Sequence, residues 1–127
     1  MANIFMTIYG KVGLRELAKQ NLAKAAYAAQ QFGKDAKVLF SGAPRFNEFG
    51  VQTSEDPYAI NGRILQHRIV GGLPLKKFYP ELGNAALWCC TEMTTRAAID
   101  TAVGSVAEGE RMVKSVKEPA DVQEVAR

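Results

Sequence analysis

Few side chains in this sequence could do chemistry, and their spacing limits how far each can go. Cys89 and Cys90 are its two cysteines, and they are neighbours. Adjacent residues on a strand point to opposite faces, so a disulfide between them would need a distorted backbone. With no third cysteine, a secreted disulfide framework is excluded and a reducing, cytoplasmic setting is expected. The pair reads as two half-buried strand residues packing as small hydrophobes, with a reactive thiol or metal ligand as the alternative. His67 is the single histidine, and no carboxylates stand at ligand spacing beside it, so no metal site is expected. Glu48 and Glu92 could form a carboxylate pair, but acid–base work depends on a separation that spacing in sequence does not supply. Arg45, Asn47, His67 and Arg68 flank expected strand ends, where binding groups collect; each reads first as a solvated or locally bonded side chain. Phe78-Tyr79-Pro80 reads as a packed anchor for its loop, with a partner contact as the alternative. Gly71-Gly72 reads as a structural turn, with a loop bending against a ligand as the alternative. The sequence holds no dinucleotide-binding glycine fingerprint, no phosphate loop and no nucleophile elbow. No nucleophile, base and orienting group assemble, so no catalytic residue is assigned.

These groups must be positioned by a small set of elements. From Gly13 to Phe32, Leu14, Leu17, Ala18, Ala25, Ala28, Ala29 and Phe32 recur at steps of three or four, the stripe of an amphipathic helix. Gly33 stands where a helix-ending glycine with positive φ belongs. The alanines on the stripe allow a sheet to approach closely. Ahead of it, Ala2 to Tyr9 is apolar, ends at Gly10 and has no helix-start signal. It looks like the middle of an element cut short, a hint of a fragment.

Lys37 to Phe40 reads as a buried strand stopped by the turn Ser41-Gly42-Ala43-Pro44. Phe46 to Gln52 alternates, but which face is buried stays open. Asp56-Pro57 supplies an N-cap and a first-turn proline for a short helix through about Gln66, with Ile60 and Ile64 inward. Arg68 to Val70 reads as a short strand and Leu73 to Asn84 as a loop. Ala85 to Cys90 is the most strand-like run. Thr94 or Thr95 then caps a second long helix with Ile99, Ala102, Val103, Val106 and Val113 inward, ended by Pro119. The expected fold class is α+β: a small, mostly antiparallel sheet with two long helices packed on one face.

At 127 residues, the chain suits a single small domain over 1–127, with 114–127 as a helix end and frayed tail. Hydrophobic residues at 47% and charged residues at 23% are the mix of a folded chain. Sixteen Lys and Arg against thirteen Asp and Glu leave +3, too small and too dispersed an excess to imply nucleic acid. No apolar run reaches the roughly 18–20 residues of a membrane span, and Met-Ala-Asn-Ile-Phe is unlike a signal peptide.

The order of motifs resembles a known family. Tyr9-Gly-Lys-Val-Gly-Leu-Arg-Glu-Leu17, Asn21-Leu-Ala-Lys24 and Tyr27-Ala28 are similar to the start of the C-terminal domain of glycine dehydrogenase (decarboxylating) subunit 1. That subunit is half of the split P-protein of the glycine cleavage system. The likeness continues through Phe40-Ser-Gly, Phe46-Asn-Glu-Phe49, Ile69-Val-Gly-Gly-Leu-Pro-Leu75 and Tyr79-Pro-Glu-Leu82. It closes on Thr91-Glu92, Thr95-Arg96 and Ile99-Asp100, and thus spans most of residues 6 to 105.

The resemblance implies the C-terminal small domain of an aspartate-aminotransferase-like (fold type I) pyridoxal-phosphate enzyme. It implies that the whole enzyme releases carbon dioxide from glycine and passes the aminomethyl group to the lipoyl arm of the H-protein. It places the Schiff-base lysine in glycine dehydrogenase subunit 2, so neither Lys76 nor Lys77 takes that role and this chain alone should bind no cofactor and be inactive. By analogy with related small domains, which move on closure, Arg45, Asn47 and Thr91 are the substrate-facing candidates, although Thr91 and Glu92 also suit a strand-to-helix turn. Lys114 to Arg127 departs from the family pattern. A homo-dimer through Ala2 to Tyr9 is a further expectation. The alternative reading is a free-standing amino-acid-binding or protein-interaction module without catalysis.

Overall fold

In the computed structural model, residues 1–117 are described. Helix α1 (Ala2–Phe32) is followed by strands β1 (Lys37–Val38) and β2 (Glu48–Gln52) and helix α2 (Pro57–Gln66). Strand β3 (Leu73–Pro74), a 3-10 turn at Pro80–Leu82, strand β4 (Ala85–Cys89) and helix α3 (Arg96–Lys117) complete the order. The four strands form one antiparallel sheet in the order β1-β2-β4-β3. Buried residues of all three helices join Phe49 and Val51 of β2 and Ala86 and Trp88 of β4 in a single cluster, so the helices cover one face. The small antiparallel α+β layer expected from the sequence is therefore what forms.

Helix α1 buries Ala25, Ala28, Ala29 and Phe32 as the stripe requires, and alanine at three of those four positions brings its axis close to the sheet. Leu14 and Leu17 are half-buried and Ala18 is exposed, while Asn21, absent from the apolar stripe, is buried. Ala2 to Tyr9 is helical too and joins the rest of α1 through a break at Gly10 (φ 61°, ψ −175°), a left-handed position that suits glycine. Its Ile4, Phe5, Met6 and Ile8 are exposed. Gly33 ends the helix with φ −65°, not the positive φ expected: its N–H, like those of Lys34 to Ala36, caps α1 carbonyls through right-handed turns.

Strand β2 resolves its open face: Phe49 and Val51 point inward, and Glu48 outward. β1 is only two residues long, because Phe40 adopts φ 51° and turns the chain away. Asp56 accepts from Tyr58 N–H at 3.0 Å with Pro57 behind it, so α2 begins as expected and buries Ile60 and Ile64. Arg68 to Val70 is not a strand: Arg68 takes φ 60° to leave α2, and the short strand forms instead at Leu73–Pro74, inside the expected loop. Phe78 and Tyr79 are 59% and 53% exposed, so they do not anchor that loop by packing. Thr95, not Thr94, caps α3, its hydroxyl accepting from Ala98 N–H at 3.1 Å. Ile99, Ala102 and Val106 are buried, with Val103 and Val113 half-buried. Lys114 to Lys117 continue the helix; its expected end at Pro119 and a frayed Ala120–Arg127 lie outside the described residues.

The double glycine supplies space, and neither residue has positive φ. A Cβ on Gly72 would lie 2.8 Å from Trp88 Cε2, and one on Gly71 2.1 Å from Asn61 Oδ1. Asn61 Nδ2 in turn donates to the Gly72 carbonyl at 2.7 Å, tying α2 to the strand edge. Two residues further along α2, Arg63 forks onto Glu55 (Nη1–Oε1 2.7 Å, Nη2–Oε2 2.5 Å) and donates to the Ser105 carbonyl at 3.0 Å. That contact, first among the causes, holds the Arg63 pKa above its ordinary value. Gly109 leaves room for this pair, since a Cβ there would come within 1.9 Å of Glu55 Oε2. Buried Glu110 accepts from Ser54 N–H at 2.5 Å beside it. Gly72→Ala is expected to destabilise the fold by about 1–3 kcal/mol through overpacking against the indole, read as a lower midpoint in urea; an unchanged midpoint would show that Trp88 has room to move.

Candidate functional site

Pairing of Glu48 with Cys89 brings the start of β2 and the end of β4 to one edge of the layer. Just past that pair, Cys90 N–H donates to the Asn47 carbonyl at 2.9 Å, so Asn47 and Thr91 leave the sheet side by side. The fold thus brings together two of the three substrate-facing candidates. Arg45 lies two residues before Asn47, half-buried, and its guanidinium donates to the Ser41 carbonyl at 3.1 Å. His67 and Arg68 are exposed at the end of α2, on a different element.

The turn from β4 into α3 is built by its own side chains. Thr94 hydroxyl accepts from Thr91 N–H at 2.9 Å, and Thr91 hydroxyl accepts from Met93 N–H at 3.3 Å. Helix α1 then grips the turn. Asn21 Nδ2 donates to Glu92 Oε2 at 2.9 Å and to the Leu17 carbonyl at 2.8 Å. Lys24 Nζ donates to the Glu92 backbone carbonyl. The Asn21 contact, followed by a backbone bond within Glu92, holds the Glu92 carboxyl below its ordinary value, and the nearby Lys24 charge adds to this. Asn21 is the buried polar residue at this turn that the apolar stripe missed. It sits four residues after Leu17 and four before Ala25, on the buried face, and a polar side chain there signals a specific partner. A second, exposed brace links the same helices: Tyr27 hydroxyl donates to Asp100 at 2.7 Å while the Arg96 guanidinium lies 5.0 Å above the Tyr27 ring.

Cys89 is exposed and Cys90 buried, so the pair is not symmetrically half-buried. Burial raises both thiol pKa values, with Glu48 adding to the effect at Cys89, which keeps both as thiols rather than nucleophilic thiolates. Among the described residues no group of three or more His, Cys, Asp or Glu could hold a metal ion. Glu48 points away from the helices, while Glu92 is held by Asn21. Behind the turn a cavity of about 150 Å³ is lined by Trp88, Cys90, Thr94 and Ile99, smaller than the roughly 300 Å³ lower bound of ordinary ligand sites. This edge can present hydrogen-bonding groups to a molecule held elsewhere; it does not enclose a reaction.

Fold and edge together define a small α+β domain with helices on one sheet face and polar groups gathered at one strand end. The comparisons carry this further. The chain is 61% identical over 109 residues to a probable glycine dehydrogenase (decarboxylating) subunit 1 of Koribacter versatilis (strain Ellin345), covering 85% of this chain and 25% of that protein. Likewise named proteins of Solibacter usitatus (strain Ellin6076) and Desulfitobacterium hafniense (strain DSM 10664 / DCB-2) are 51% and 43% identical over 106 and 107 residues, each covering 83% of this chain. No protein-family profile matches the chain. A crystal structure of glycine decarboxylase (P-protein) of the glycine cleavage system, in inhibitor-bound form, superposes with a TM-score of 0.71 at 24% identity, covering 83% of this chain and 24% of that one. That last likeness is one of fold.

Over the aligned residues the chain is similar to the subunit 1 sequences of glycine dehydrogenase (decarboxylating), the family its motifs resemble. It spans about a quarter of the length of the curated relatives it matches.

The Glu92 contact has a pH signature. Because folding lowers its pKa, the charged carboxylate contributes stability above its ordinary value of 4.5, and that contribution is lost as pH falls through the lowered folded value. Glu92→Gln should therefore melt below the unaltered chain at pH 7, with the gap narrowing as pH drops below about 4. A gap that is constant with pH would show that the carboxylate charge plays no part.

Proposed function

We propose that this chain is the C-terminal small domain of a cytoplasmic glycine dehydrogenase (decarboxylating) subunit 1. Its whole enzyme would act with subunit 2 to decarboxylate glycine, release carbon dioxide and pass the aminomethyl group to the lipoyl arm of the H-protein. The observation that carries this reading is 61% identity across 85% of the chain.

Pyridoxal phosphate, when bound in the assembled enzyme, supplies the electron sink for breaking the bond to the carboxylate. The described residues do not fit a cradle for it: Lys76 and Lys77 are exposed on the loop after β3, and the polar edge around Asn47 and Thr91 is open. No step is therefore assigned to the cofactor on this chain. Its own contribution is positioning. Asn47, Thr91 and Arg45, standing at or near the strand end, would orient the substrate carboxylate from one side, with Asn21 and Lys24 fixing the Thr91–Glu92 turn against α1. The apolar helical segment Ala2 to Tyr9 supports association with another surface; the isolated chain would cover it by pairing with a second copy.

Two measurements test this. The native protein, captured from its source cells with an antibody to this domain, should have a mass several times 13.9 kDa and co-purify with a partner absorbing as pyridoxal phosphate. A native mass of 13.9 kDa without that partner would overturn the reading and leave a free-standing module. In the assembled enzyme, Asn47→Ala with Thr91→Ala should raise KM for glycine by roughly tenfold, equivalent to about 1.4 kcal/mol, with a smaller change in kcat. An unchanged KM would remove both residues from the substrate edge.

A further inference from the structure

A second concave surface, which shares Arg45 with the polar edge, lies between the C-terminal end of α1, strand β1 and the turn that follows it. It has a volume of about 690 Å³. Ala26, Ala29 and Val38 line it as a low apolar floor, and Lys34, Lys37 and Arg45 are its charged groups. No carboxylate is among the residues lining it. None of these three cations takes part in an ion pair among the described residues: Lys34 donates to Gln31 at 2.6 Å and Arg45 to the Ser41 carbonyl at 3.1 Å.

Basic residues after a helix offset the negative end of its dipole, but that end amounts to only about half an elementary charge. Three cations, one of them from the turn beyond β1, exceed that need, so the residues lining the cleft carry an excess of positive charge, with Asp35 facing the neighbouring surface beside Lys34 and Lys37. The form of the site also decides what it fits. A single small anion is held tightly where buried, converging donors meet it. Here the lysines are exposed on flexible stems and the one guanidinium is already shared with a carbonyl. Spread, mobile cations over a shallow apolar floor suit an extended acidic surface, which they attract over distance and orient.

We propose that this cleft is a docking surface for an acidic segment of a partner protein, recognised by carboxylates that face Lys34, Lys37 and Arg45. The interaction shares Arg45 with the reading given above, so the variants that test it alter only Lys34 and Lys37.

Titration of the full 127-residue chain with an oligoglutamate peptide, followed by amide NMR shifts, tests it. Saturable shifts should map to the end of α1, β1 and the turn to Arg45, and weaken as salt rises from about 50 to 300 mM. Lys34→Glu with Lys37→Glu should weaken binding by roughly tenfold or more. The matched reversal Lys76→Glu with Lys77→Glu alters net charge equally at exposed positions and should leave binding nearly unchanged. Equal loss in both double variants would reduce the effect to overall charge and overturn the proposal. Inorganic phosphate shifting the same amides with equal affinity would overturn it in favour of a small-anion site, and absence of saturable shifts with either probe would overturn it outright.

Discussion

Trp88 stands on the central strand pair, and most of the layer is arranged around its ring. Phe32 from the end of α1 meets it at a centroid distance of 4.7 Å and meets Phe49 of β2 at 5.9 Å, so one helix end is fixed against two strands by aromatic contact. The backbone at Gly72 comes so near the indole that no side chain fits there. That approach is what allows the short edge strand β3 to pair with β4 at Leu73 and Pro74. With large rings filling the centre, the helix above must be lined by small residues, and Ala25, Ala28 and Ala29 meet that demand. Close packing of this kind gains dispersion energy only where both partners are shaped for it.

Two polar locks hold the ends of the layer where hydrophobic packing thins out. At one end Glu55 and Arg63 join α2 to α3, a forked pair that Gly109 accommodates, and Glu110 secures the adjacent backbone of Ser54. At the other, Asn21 and Lys24 hold the Thr91–Glu92 turn to α1. The partly buried Arg63 could not be replaced by a residue lacking its fork without leaving Glu55 unpaired, and unpaired charge costs more than the pair contributes. Each lock therefore specifies position more than it adds stability. The Asn21 lock sits beside the polar strand edge, at the turn that carries Thr91.

The long helices and α2 were legible because their signals are local: an alanine-rich period, Asp56-Pro57 as cap and first turn, Ile60 and Ile64 a turn apart. Strand β1 was legible at Lys37-Val38, although the reading ran on to Phe40, while β3 was not. β3 exists because its longer neighbour β4 offers hydrogen bonds, and nothing within Leu73-Pro74 specifies pairing. Phe40 and Arg68 adopt left-handed φ without being glycine, so the chain reverses where residue type gives no warning. Asn21, Ser105 and Glu110 are buried among apolar neighbours, and a reading by hydrophobic period passes over them. At the candidate site, the order of residues did place Asn47 and Thr91 at strand ends. Their adjacency depends on the register of β2 against β4, which only the folded chain displays.

A domain built in this way has limits that bear on what it can do. Catalysis by acid, base or nucleophile requires groups held in a water-excluding pocket with matched pKa values. Here the buried volume is given to aromatic rings and alanine, the thiols are raised rather than activated, and the polar groups stand at an open edge. Such an edge becomes useful only when another surface closes over it. The same is true of the apolar turns from Ala2 to Tyr9, which project beyond the break at Gly10 with Ile4, Phe5, Met6 and Ile8 in solvent. Asn3 and Thr7 give this segment one polar face, and its other side chains form an exposed apolar patch of the kind a second surface buries. Both features are of the kind that a second surface covers, a polar strand edge in one case and an exposed apolar helical turn in the other.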